Sequence, residues 1–174
     1  MSPEQADQAG QWTSVRAKAE ALIASVKAMS PEQRTVAPTK GLNALETILH
    51  LSLTDKYEIE LINKNQEHRN KAPRMNFIGS WAIRGMKAAK PVPTIKSLLP
   101  QASSTASDAD VEAAASQWQE TLNMIGEAIA TASPNKTLFK HPAFGLMGPL
   151  DLIALMDSHL DYHIVRLRQA GVPV

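Results

Sequence analysis

Leu150-Asp151-Leu152-Ile153-Ala154-Leu155-Met156-Asp157-Ser158-His159-Leu160-Asp161-Tyr162-His163-Ile164-Val165-Arg166-Leu167 is the stretch from which the architecture is read. Its line Leu152, Met156, His159, Leu160, His163, Ile164 and Leu167 steps by three and four, the stripe of a helix packed on one side. Residues four apart stack one turn above another on a helix. His159 and His163 therefore point two imidazoles into the packed side. An imidazole aimed into a core must satisfy two ring nitrogens, and leucines cannot do that. A metal ion shared with one more inward-facing ligand would do so, and His50 is the natural third.

Working outward, the same spacing recurs. Trp12, Val15, Ala19, Leu22, Val26 and Met29 predict a first long helix from about Ala9 to Met29. Ser30-Pro31-Glu32-Gln33 is a helix-start signature that Pro38 stops early. Leu42, Leu45, Leu49, Leu53, Tyr57 and Leu61 mark the buried side of a second long helix, from near Thr39 to about Asn65. His50 falls at the edge of that side or within it. A basic run follows, with Lys64, Arg69, Lys71, Arg74, Arg84, Lys87, Lys90 and Lys96. Pro73, Pro91, Pro93 and Pro100 limit it to one short helix, about Asn76 to Ala89. Its length makes it a crossover, which frees the flanking helices from being antiparallel neighbours. Ser103 to Ala106 reads as loop, and Ser107 caps a third long helix striped by Val111, Ala115, Trp118, Leu122, Ile125 and Ile129. The fourth is the histidine helix, about Pro149 to Ala170, stopped by Gly171 and Pro173. No strand pattern competes. The expectation is an all-α four-helix bundle, one domain over residues 1–174, with a short helix in the crossover between helices two and three.

Bulk properties narrow the function classes. A chain of 174 residues with 44% hydrophobic and 20% charged content is an ordinary globular one. A net charge of +1 gives no overall push toward nucleic acid or membrane. The absence of cysteine removes disulfides, thiolate ligands and a protein thiol nucleophile. No apolar run approaches the roughly 18 residues of a membrane span, and the polar start Met1-Ser2-Pro3-Glu4-Gln5 is not signal-like. A cytoplasmic protein with no membrane partner is expected.

The histidine pair is not a zinc-protease signature, because Leu160 stands where that motif has glutamate and Asp161 lies on another face. Paired Glu-x-x-His elements of di-iron bundles are missing. A mononuclear site with three neutral nitrogens remains, suited to Zn, Ni, Fe or Cu and leaving positions open for water or substrate. From spacing alone, the alternative of histidines bonded to ordinary partners stays open.

The run His141-Pro142-Ala143-Phe144-Gly145, a helix start, then His159-x-x-x-His163, with His50 in Ile48-Leu49-His50-Leu51, resembles the DinB-like superfamily, in its small-domain branch. The likeness covers essentially the whole chain. It implies an up-down-down-up bundle, a divalent metal (Zn or Ni first) held by His50, His159 and His163, and often a homodimer. It also implies a small-molecule substrate. Superfamily enzymes use low-molecular-weight thiols for isomerisation or S-transfer, and others are labelled metal-dependent hydrolases.

Three readings follow: a metal-dependent thiol transferase or hydrolase, a non-catalytic metal-binding or stress-associated bundle, and an anion- or nucleic-acid-binding module on the basic run. Lacking interleaved aromatics and any DNA-reading motif, that run reads better as a solvated or dimer-facing surface. It could still steer an anionic thiol. Glu46, one turn before His50, and Asp157 are candidates for orienting a metal ligand or for acid–base work. His141 is expected to anchor its turn or line the pocket mouth, and His68 reads as surface.

Overall fold

The computed structural model describes residues 2–38, 41–64, 66–90, 98–100 and 106–174. The expected helix start at Thr39 and end at Asn65, and Pro91, Pro93, Lys96 and Ser103, lie outside them.

Helix α1 (Pro3–Ala28) begins six residues before the expected start at Ala9, because Ser2 and Gln5 form a reciprocal capping box. The expected stripe from Trp12 to Met29 is buried throughout. Short α2 (Pro31–Arg34) ends in Arg34, which is only 2% exposed. Its guanidinium donates to the Val26, Lys27 and Ala106 carbonyls and to Asp108, so it ties the end of α1 to the start of α5 (Asp108–Thr131). Every expected stripe residue of α5 is buried. Gly126 lets α1 approach closely: a Cβ there would lie 2.8 Å from Trp12 Nε1.

Helix α3 (Ala44–Lys64) departs from its stripe. Leu45 and Leu61 of the stripe are buried, but Leu49, Leu53 and Tyr57 are only partly so, while Ile48, Leu51, Asp55, Ile59 and Ile62 are buried. The helix is turned because it packs against α5, where Trp118 Nε1 donates to Asp55 Oδ2 at 2.7 Å. That turn also buries Thr47, Ser52 and Glu58.

After a 3₁₀ turn (Gln66–His68) come β1 (Arg74–Met75) and α4 (Phe77–Lys87), whose start Asn76 caps through Gly79 N–H. Strands β2 (Phe139–His141) and β3 (Gly145–Met147) correct the strand-free expectation. The sheet is antiparallel in the order β1-β3-β2, with His141 opposite Gly145 and Arg74 opposite Leu146. Its strands span two or three residues, too few for a period-two pattern to show. Gly145 has φ +90°, and a Cβ there would meet the Arg74 carbonyl at 2.9 Å. The glycine of the HPxFG-like run is thus what closes the hairpin.

Helix α6 (Pro149–Gln169) starts where Asp151 accepts from Gly148 N–H, and it is stopped by Gly171 at φ +80°. It lies between α1 and α4, and its inner side also meets α3. The chain is mostly helical, with α1, α3, α5 and α6 around one apolar core, an all-α protein with a minor sheet.

Candidate metal centre

Three imidazoles from two helices distant in sequence meet at one point. His159 Nε2 lies 3.2 Å from His50 Nε2 and 3.1 Å from His163 Nε2. The ligating atoms of all three fall within 4.8 Å of one another. Nitrogens bound to one zinc at about 2.0–2.1 Å would stand about 3.0 Å apart at right angles and about 3.4 Å apart at tetrahedral angles. The two short separations lie between those limits. The group can hold a metal ion.

Proton bookkeeping points the same way. The Leu98 carbonyl can only accept, so His50 Nδ1, 2.8 Å away, carries the hydrogen. A neutral His50 then presents a bare lone pair at Nε2. His159 Nε2 faces that lone pair and His163 Nε2 together, so a single hydrogen must serve three nitrogens. A cation at their centre would satisfy all of them at once. Burial pushes His50 below the ordinary imidazole range, with the Leu98 contact opposing. Burial, and then the neighbouring His50, push His159 down to about 3. His163 is held well below its usual value by burial first, then by His159, His50 and the Arg166 guanidinium. All three are neutral ligands at pH 7.

The centre opens onto a cavity of about 310 Å³. His50 and His159 line it, and so do Glu58 and His141. Ile78, Trp81, Met86, Leu98, Phe144 and Leu155 supply apolar wall. His141 Nδ1 accepts from the Ala143 and Phe144 N–H groups, both at 3.1 Å, so its hydrogen is on Nε2. That Nε2 is 3.6 Å from Glu58 Oε1, while Glu58 Oε2 has no hydrogen-bond partner. Burial pushes the Glu58 carboxyl up to about 8, helped by Asp55. Burial likewise raises Asp55 to about 7 against the Trp118 hydrogen bond, and lowers His141 to about 4.

The structure thus brings His50, His159 and His163 together and puts His141 in both of its expected places, anchoring the turn and lining the cavity. Glu46 is elsewhere: its Oε2 accepts from Asn43 N–H at 2.9 Å, which caps α3. Asp157 is also elsewhere, bound with Asp161 to Lys18 at 2.5 and 2.6 Å. Neither lines the cavity. His68 is partly buried rather than a surface residue, with Nε2 3.4 Å from Glu67 Oε1. Glu58, Tyr57 and Thr54 were not expected there. Stepping by four from His50 gives Thr54 and Glu58, the rule that paired His159 with His163.

No protein-family model, curated protein or solved structure matches the chain.

Proposed function

We propose that the chain is a metal-dependent enzyme on a DinB-like four-helix bundle of up-down-down-up topology, acting on a small molecule as a thiol S-transferase, isomerase or hydrolase. The observation that carries the reading is the convergence of three neutral imidazoles beside an open cavity. His50, His159 and His163 would hold one divalent ion, zinc or nickel. When bound, that ion supplies Lewis acidity and lowers the pKa of a bound water or thiol. The Leu98 carbonyl fixes the His50 ring and its tautomer, the orienting role that outer partners play at metal sites. Any thiol must come from outside, because the chain has no cysteine. A homodimer belongs to the same reading. No helix among the described residues is long and apolar enough to cross a membrane.

Cobalt-loaded protein titrated with 2-mercaptoethanol tests this reading. A thiolate-to-cobalt absorption band is expected, since three protein ligands leave a position free. An unchanged spectrum would mean a closed site, and would reduce the protein to a metal-stabilised helical scaffold.

A further inference from the structure

The cavity has a polar feature that the metal centre does not use. Among the described residues that line it, Glu58 is the only acid and none is lysine or arginine. The side chain is 7% exposed, and one of its oxygens is unpartnered. A buried carboxyl is costly unless a proton, a cation or several donors satisfy it. His141 Nε2 stands 3.6 Å from the acid's other oxygen, beyond good hydrogen-bond length.

The His141 ring stands against this acid, and further aromatic rings line the same cavity. His141 stacks on Phe144 at 4.1 Å and 10°, and meets Tyr57 edge-on at 6.1 Å. Trp81 lines the same cavity and is 46% exposed, so the wall it forms reaches the surface. Ring faces attract cations, and a carboxylate among them is the arrangement that suits an organic ammonium. Along α3, Glu58 stands eight residues beyond His50, about 12 Å at 1.5 Å per residue. That spacing separates an ammonium bound at Glu58 from a metal-binding group at the histidines.

The geometry points to Glu58, with the rings of Tyr57, Trp81 and Phe144, as a subsite for the protonated amine of the ligand. The molecule taken is an amphiphilic amine whose apolar body lies along the wall between the subsite and the metal. This deepens the proposed function and rests on the cavity being its substrate site. Without ligand, Glu58 holds a proton at neutral pH. Pairing with an ammonium leaves it a carboxylate, and the proton goes to buffer.

Calorimetric titration of the chelator-stripped full chain with 2-phenylethylamine, and with 3-phenylpropionate as its anionic counterpart, tests the proposal. The amine should bind, with close to one proton released at pH 7 as read in buffers of different ionisation heat. The carboxylate should not bind. Glu58→Gln, an isostere of the protonated acid, should weaken the amine at least about tenfold, the loss of one charge-assisted contact. Should that variant lose its helical circular dichroism, Trp81→Ala serves instead, with at least about threefold weakening from the lost ring face. Equal affinity for both probes, no binding of either, or amine affinity unchanged in the variant would overturn the subsite. Zinc titration of the same samples separates the two claims. Amine binding without zinc binding leaves the subsite standing and sinks the metal reading, and zinc binding without amine binding does the reverse.

Discussion

Helix α6 carries two pairs of titratable residues at the same spacing, two residues out of phase, and they meet opposite fates. Asp157 and Asp161 face α1, where Lys18 reaches both of them. Burial alone would lower the Lys18 ammonium, but the two aspartates outweigh it and hold it above its ordinary value. That cluster is closed by its own cation, Lys18, and is part exposed. His159 and His163 face α3, where they meet a third imidazole and a cavity. A spacing of four sets only a direction, and the opposing element decides whether the pair becomes an ion bridge or a ligand set.

The sharpest way to break this contrast is to remove one member from each pair. His163→Ala should lower zinc affinity by at least about 100-fold, as loss of a direct ligand must exceed the 10–100-fold typical of outer-shell partners. Asp161→Ala should leave it within about twofold, both read by competition with a chromogenic chelator. Equal losses would erase the distinction between the pairs.

Acid provides the next test. An exposed three-histidine site titrates near pH 6.5 and loses metal steeply below it. Here His159 and His163 keep their lone pairs into far more acid conditions, and burial lowers His50 as well. Zinc affinity should therefore fall less than about tenfold between pH 7.5 and 5.5. A drop of several decades would place the imidazoles in solvent.

Glu58 sharpens the picture from the alkaline side. Its folded value of about 8 exceeds the ordinary 4.5. The stabilisation from holding its proton is fully present below 4.5 and is lost as pH rises to about 8. Unfolding in urea should show the metal-free wild type losing stability from pH 5 to 8.5, by on the order of 2–3 kcal/mol more than Glu58→Gln. Parallel curves for the two proteins would contradict the burial argument. The smallest effect is expected at the closed pair. Lys18→Ala should cost no more than about 1 kcal/mol, as partly exposed ion pairs do, with zinc affinity unchanged.

Where the sequence was legible, apolar residues marked most of the buried face. That holds for α1 from Trp12 to Met29, for α5 around Trp118, and for the inner side of α6. Helix α3 resisted because its buried face includes Thr47, Ser52, Asp55 and Glu58, which a hydrophobic stripe cannot report. The stripe was right at Leu45 and Leu61, but its middle, Leu49, Leu53 and Tyr57, took the place of the true face, and Glu58 was missed with it. His50 was legible as a possible ligand, but its orientation was not, because the Leu98 carbonyl that sets its tautomer comes from 48 residues away. The hairpin at His141 was hidden by the shortness of its strands, although Gly145 carried the signal of a residue with positive φ.

Zinc K-edge X-ray absorption on the reconstituted chain tests the metal centre most directly. The account predicts one zinc per chain, with imidazole scattering from three nitrogens at about 2.0–2.1 Å plus a further light ligand. It also predicts that His50→Ala removes one imidazole shell. Zinc bound without imidazole scattering, or a spectrum that His50→Ala leaves unaltered, would contradict it.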